Sequence, residues 1–298
     1  MSNLSNDVRI RGRVLRIAQL DAELFHFVED PVTMIDRLRN DKSRVDIFTF
    51  VQGLPEAEPK FGYHMEWENL AVLPISTFEH WWSKQIRSGT KNRARQAERK
   101  GVVIREVEFD EKLVRGIWEI YNESPVRQGR RFRHYGKDFE VVHREAATYV
   151  DYSTFIGAFL GEELIGFIKM VTDENRVQAG LMNILSKARY KDKAPTNALL
   201  SQAVRSCADR GIAYLVYNKY NYGKKQHDGL SEFKERNGFR RVEVPRYYVP
   251  LTQFGELALR MGFHRRLVDH LPESIAARLR ELRKNWYGRG LQSAGEAS

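Results

Sequence analysis

The sequence predicts an α/β (α+β) protein in which a mixed sheet is flanked by helices. Three observations predict it. From residue 154 onward, apolar runs of strand and helix length follow in the order strand, strand, strand, helix, strand, helix, strand. Gly161-Glu162 and Asp173-Glu174-Asn175 stand where tight turns would join the first three of these strands. Of the 298 residues, 42% are hydrophobic and 30% charged, enough apolar material for one large core or two modest ones.

Taken in order, Ile17, Leu20, Leu24, Phe27 and Val28 recur at helical spacing until Asp30-Pro31 interrupts them, and a second helical pattern spans Met34 to Leu38. Residues 44–52 and 63–75 have strand character, and the polar, proline-containing stretch 53–60 between them predicts a hairpin. Ser76 or Thr77 occupies an N-cap position ahead of one long helix, 78–100, with Trp81, Trp82 and Ile86 first and a basic run after them. Gly101 stops that helix, and 102–107 is a strand. Helices at 111–123 and 137–149 flank a basic loop, 124–136. Strands at 154–160, 163–172 and 176–185 precede a helix at 195–210, a strand at 213–217, a short helix and a last strand at 240–250. Beyond 251 the pattern is helical to 287, with Ile275, Leu279, Leu282 and Trp286 in a stripe among arginines, and 288–298 has the composition of a disordered tail. The linear division is an N-terminal α/β subdomain (1–108), a core (109–250), C-terminal helices (251–287) and a tail (288–298).

A net charge of +10 favours anionic partners: nucleic acid, lipid headgroups, CoA phosphates or nucleotide-linked substrates. The excess is concentrated, since residues 84–133 hold 14 Lys/Arg against 7 Asp/Glu. The single cysteine, Cys207, excludes an internal disulfide framework and reads as a core thiol. Eight histidines without a His-x-x-x-His pair near carboxylates give no metal pattern, so no metal is expected. No apolar run approaches the roughly 20 residues of a membrane helix. The expected location is cytoplasmic.

Residues 214–239 carry an apolar strand, a polar loop and then Gly229-Leu230-Ser231-Glu232-Phe233-Lys234-Glu235-Arg236-Asn237-Gly238-Phe239. With the strand order before it, this resembles the end of a GNAT-type acyltransferase core. The Phe233-Lys234 spelling is closest to the Fem-type (FemAB-like) aminoacyl/acetyltransferase group of that superfamily. Asn92, Arg95, Ala97, Glu98, Lys100 and Gly101 before a valine-rich strand resemble the same group, in which a basic helix ending in Lys-Gly-Val precedes the main domain. The resemblance spans about 76–250 and implies a truncated second GNAT-like half at the N-terminus.

That resemblance implies an acyl donor lying where two parallel strands splay, with the backbone of Met182, Asn183 and Ile184 as the donor-facing edge. The superfamily's glycine-containing diphosphate loop corresponds to Lys187-Ala188-Arg189-Tyr190-Lys191-Asp192-Lys193-Ala194-Pro195-Thr196-Asn197, which has no glycine to let phosphate approach the backbone. Lys187 and Arg189 offer charge there, and Thr196 and Asn197 offer helix-start amides. The usual tyrosine acid corresponds to Phe233, which has no proton to give. The matching lysine, Lys234, has two readings: a cation for the oxyanion of acyl transfer, or an exposed helix residue. In the loop after 217, Tyr217 is a substrate-binding candidate, and Tyr220 and His227 are acid and base candidates. Arg127, Arg130, Arg131 and Arg133, beside Phe132, suit a nucleotide, phosphosugar or tRNA, or form a soluble loop.

The implied activity is N-acyl transfer from acyl-CoA (acetyl-CoA) to an amine of a small-molecule or peptide-like acceptor. The alternative keeps the fold and takes aminoacyl-tRNA as donor. A third reading is a non-catalytic module binding nucleic acid or another polyanion.

Overall fold

The computed structural model describes residues 8–21, 23, 27–41, 44–56, 58–127, 130–221 and 229–265. In chain order, strands β1 (Val8–Arg11) and β2 (Ile17–Leu20) lead to helix α1 (Pro31–Asn40), β3 (Ile47–Val51) and β4 (His64–Pro74). Helix α2 (Phe78–His80) runs into a π turn (Trp81–Gln85), and α3 (Ser88–Arg99) and β5 (Val102–Val107) follow. Next come α4 (Glu111–Asn122), the two-residue strands β6 (Val126–Arg127) and β7 (Arg130–Arg131), α5 (Phe139–Ala147), β8 (Ser153–Leu160) and β9 (Glu163–Thr172). The chain continues with β10 (Gln178–Ser186), α6 (Pro195–Asp209), β11 (Tyr214–Lys219), α7 (Gly229–Arg236), β12 (Arg240–Pro250) and α8 (Gln253–Arg260). Two compact units result, and they interleave along the chain. Among the described residues, one takes its residues from 8–88, 170–182 and 204–265, the other from 89–169 and 183–203.

In the first unit the strand order is β1-β2-β3-β12-β4-β11 followed by the start of β10. Parallel pairs (β2 with β3, β10 with β11) stand among antiparallel ones, which makes the sheet mixed. Phe48, Phe50 and Tyr247 pack with Ile35 and Leu38 of α1, and a second cluster holds Val51, Leu70, Val72, Val216 and Val244. Tyr247 is fully buried because its hydroxyl is satisfied, donating to Gln52 Oε1 at 2.8 Å and accepting from the Lys60 amide at 2.8 Å.

In the second unit β5 pairs antiparallel with β8 from Val102↔Leu160 to Val107↔Phe155. Leu113, Val114, Ile117 and Ile120 of α4 and Val142 of α5 cluster with Phe155, Phe159, Leu164 and Phe167 of β8 and β9. The Asp110 carboxylate starts α4 by accepting the Leu113 amide at 2.7 Å.

Three expected elements are built otherwise. The helical spacing expected from Ile17 is a strand, because Ala18 and Leu20 alternate inward in period 2 and residues 17–19 pair on both sides; Leu24 is outside the described residues. β3 and β4 are not a hairpin, since β12 lies between them and Tyr247 pairs with Phe50 on one edge and Met65 on the other. The single helix expected over 78–100 breaks at Ile86, which is extended (φ −94°, ψ 148°) and buried, while the Arg87 amide leaves the helix to bond Arg236 O at 3.2 Å. Its expected ends do hold: Thr77 Oγ1 accepts from the His80 amide, and Gly101 takes φ +77°. The expected tail stripe, Ile275 to Trp286, lies outside the described residues.

Candidate active site

In the first unit the parallel pairing of β10 with β11 covers only Gln178↔Tyr214, Ala179↔Leu215 and Gly180↔Val216. On its other side β11 slips register against β4 between Val216 and Lys219, and Asn218 takes a left-handed backbone (φ +50°). The end of β11 is thus the place where this sheet stops being regular. Met182, on the β10 side, is exposed.

Lys234 of α7 is directed at that end. It has no exposed surface, its Nζ donates to the Lys219 carbonyl, and it lies 4.8 Å from the centre of the Tyr217 ring. Of its two readings, the exposed helix residue is not what the fold builds. Tyr220 is held by a bond from its amide to Asn69 O at 3.3 Å, and the Asn221 amide donates to Asn69 Oδ1 at 2.7 Å. Burial, then the nearby Glu235 carboxylate, raises the Tyr220 phenol above its ordinary value. His227 lies outside the described residues.

Beside Lys219 runs a row of charges drawn from neighbouring strands. Lys219 Nζ is 2.6 Å from Glu68 Oε1 on β4, Glu68 Oε2 accepts from Arg246 on β12, and Arg246 holds both oxygens of Glu23 at 2.9 Å. Burial alone would raise the Glu68 carboxyl, but Arg246 and Lys219 outweigh it and hold it below the usual range. Glu68 is therefore an ionised anchor for the Lys219 side chain and a weak proton acceptor. Sequence reasoning missed this row, because Glu68 and Arg246 stand among other charged residues of their strands and nothing local marks them as partners.

The second unit holds the other expected site residues. Tyr121 stacks on His134 with ring centres 4.4 Å apart, and Asn183 Nδ2 reaches the Tyr121 hydroxyl at 3.5 Å. Burial, then Arg133 and Lys137, lower His134 to about 4, so it is neutral at pH 7 and its Nε2 accepts from Arg133 Nε at 2.9 Å. Burial, then Glu145, raises the Tyr121 phenol. Arg127 is an internal tie that donates to Ser186 O at 2.8 Å and Ile120 O at 2.7 Å, whereas Arg130 and Arg131 are exposed on β7.

The segment expected at a diphosphate is occupied by the protein itself. Lys187 is 3% exposed, with Nζ 2.9 Å from Glu119 and 2.6 Å from Glu163. Arg189 also pairs with Glu163, and Tyr190 donates to it at 2.6 Å. Burial pushes Glu163 up, but hydrogen bonds from Lys187, Tyr190 and Arg189 outweigh it and bring the carboxyl to about 2. The amides of Ala188 and Arg189 donate to the Glu123 carboxylate at 2.5 and 3.1 Å. Thr196 Oγ1 meets Ser186 Oγ at 3.0 Å, and the Asn197 amide bonds Ala194 O at 3.2 Å. Ile184 is half-buried on β10.

No protein-family model and no curated protein matches this chain. Solved structures do. FemX superposes with a TM-score of 0.59 at 10% identity, covering 85% of this chain and 85% of that one. L-PGS from Bacillus licheniformis gives 0.55 at 12% identity over 85% and 84%. The C-terminal domain of a protein assigned as a lysylphosphatidylglycerol synthetase, from Agrobacterium fabrum, gives 0.55 at 14% over 85% and 82%. The chain has the fold of FemX and L-PGS. At these identities the likeness is one of fold alone. Among the described residues, no helix is long and apolar enough to cross a membrane.

Proposed function

We propose that this chain is an acyltransferase that moves an aminoacyl group from aminoacyl-tRNA to an amine of a small-molecule or peptide-like acceptor. The Glu123 carboxylate seated on the amides of Ala188 and Arg189 carries the choice of donor. A CoA diphosphate would need those amides and would meet a fixed negative charge, with Lys187 already committed to Glu119 and Glu163. A ribosyl ester donor needs no diphosphate there. FemX and L-PGS, the fold relatives, point the same way, as does the basic surface.

In the reaction the acceptor nitrogen bonds to the ester carbonyl carbon, and the bond from that carbon to the ribose oxygen breaks. The nitrogen gives up a proton to water, and the ribose oxygen takes one up. Lys234, enclosed beside the end of β11, supplies the cation for the developing oxyanion, and its bond to the Lys219 carbonyl holds the strand end in place. Tyr217, under the ammonium, and Tyr220 are the remaining groups of the first unit for orienting substrates.

One observation favours acyl-CoA as a second reading: the β10 and β11 ladder ends at Gly180↔Val216, which leaves a strand edge of the kind a pantetheine arm pairs with. Nucleic-acid-free protein assayed with charged tRNA and with acetyl-CoA separates the two. Turnover from charged tRNA, and no melting shift with millimolar acetyl-CoA or CoA, is the expected result. A ligand at about 100 times its Kd adds roughly 2.7 kcal/mol, a shift of several degrees. Turnover with acetyl-CoA would install the second reading, and no turnover with either donor would remove the enzyme reading.

A further inference from the structure

The second unit joins two basic stretches that lie far apart in the sequence. Thr90, Ala94 and Ala97 are the buried side of α3, and Asn92, Arg95 and Arg99, at the i, i+3, i+7 spacing of one helical face, are exposed. A flank between these faces carries Arg93, Gln96 and Lys100 in the same spacing. Gln96 Nε2 donates to the Asp192 carbonyl at 2.7 Å, and Lys100 Nζ reaches the Asp192 carboxylate at 3.0 Å and its carbonyl at 3.1 Å. Asp192 lies in the helical turns Ala188–Lys193, which bring Lys191 and Lys193 to that flank. The Asp192 carboxylate is spent on Lys100, which leaves Arg93, Arg99, Lys191 and Lys193 as a surplus of cations on one surface.

We infer that this surface, α3 together with the 188–193 turns, binds the phosphodiester backbone of a structured RNA. A solvated helix face would explain α3 by itself. It does not explain why the fold pins a second basic stretch to its flank through a main-chain carbonyl and a carboxylate, leaving the net charge of the joined surface strongly positive. Spaced cations along a helix and an adjoining turn match a string of phosphates; binding of this kind carries no sequence information and weakens with salt through counterion release. The inference rests on the aminoacyl-tRNA reading for the identity of the RNA.

The test is the salt dependence of uncharged tRNA binding by the full chain and by a variant with Arg93, Arg99, Lys191 and Lys193 changed to Gln. Arg93, Arg99 and Lys191 are exposed and Lys193 is half-buried, so the variant should melt close to the wild type. Each phosphate contact contributes about 0.9 to the slope of log affinity against log salt for a duplex, so the slope should fall by about 3.6 and affinity at low salt by at least tenfold. An unchanged slope overturns the inference, as does preferential capture of vesicles of equal phosphatidylglycerol and phosphatidylcholine with tRNA ignored. Turnover of charged tRNA at an unchanged KM in the variant would overturn the surface and leave the proposed function standing. A wild-type slope that falls in the variant, with no turnover from any charged tRNA, would keep the surface and remove the enzyme.

Discussion

Lys169 is the sharpest quantitative test of this fold. It sits on β9 at 1% exposure, and its ammonium donates to the carbonyls of Ala146 (2.8 Å) and Thr148 and to Thr148 Oγ1 (3.2 Å), the end of α5. It therefore supplies donors to carbonyls that the end of a helix leaves unbonded. No carboxylate pairs with it among the described residues, and burial lowers it from 10.5 to about 8. Between those values the unfolded chain holds a proton that the folded chain has released, so stability is constant below about pH 8 and rises toward pH 10.5. The gap corresponds to roughly 3 kcal/mol, or about 6 °C in Tm for a chain of this size. The assay is urea unfolding of the wild type and of Lys169→Met at steps from pH 7 to 10.5. Methionine does not titrate, so whatever it costs at one pH it costs at all, and only the difference in slope matters. The wild type should gain roughly 3 kcal/mol on the variant across the window. Parallel curves would refute the reasoning that this ammonium is held in a desolvated place.

Three other outcomes follow from contacts described above or beside them. Lys234→Met should lower turnover at least tenfold while the circular dichroism stays native; unchanged turnover would take Lys234 out of the mechanism. Asp46 is fully buried and accepts from the Arg16 amide at 3.0 Å, Thr252 Oγ1 at 2.9 Å and Arg44 Nε at 3.2 Å. Burial would raise its carboxyl, but those bonds outweigh it and hold it low, so its contribution is present at neutral pH and lost on acidification through that lowered value. Asp46→Ala should cost about 2–3 kcal/mol in urea at pH 7, and a loss under 0.5 kcal/mol would contradict the bonding. An added Cβ at Gly255 would run into the Asp46 carbonyl, whereas at Gly89 nothing lies within 4 Å. Gly255→Ala should lower Tm by several degrees and Gly89→Ala should leave it equal or higher, with the reverse order counting against the packing of α8.

The core from 111 to 250 was legible because its strands are long apolar runs between clear turns, as in 154–172, and its helices open on unambiguous caps such as Asp110. What stayed hidden was pairing between distant residues. Nothing local in 44–75 announces that β12 enters between β3 and β4, because a strand edge carries no sequence label for its partner. Ile17 to Leu20 satisfies both periods over so short a stretch, and the neighbouring strands decide between them. In the site, Phe233-Lys234 could be found as a motif, but the enclosure of Lys234 could not. The Lys219, Glu68 and Arg246 row needs three strands side by side, and the seat of Glu123 on two amides needs the end of α4 beside the 188–193 turns.

The place of β12 also sets a timetable for synthesis. Phe50 and Met65 leave the ribosome early, yet the strand that pairs with both carries Tyr247, and residues emerge at about 5–20 per second. For roughly 10 to 40 s, β3 and β4 therefore exist without the strand that lies between them, with Phe48 and Phe50 exposed. Until then their bare edges are open to each other in the hairpin that the local sequence suggests, and to other chains. Closure of the first unit has to wait for β12, so a nascent chain halted before residue 240 holds an unfinished sheet that chaperones must shield.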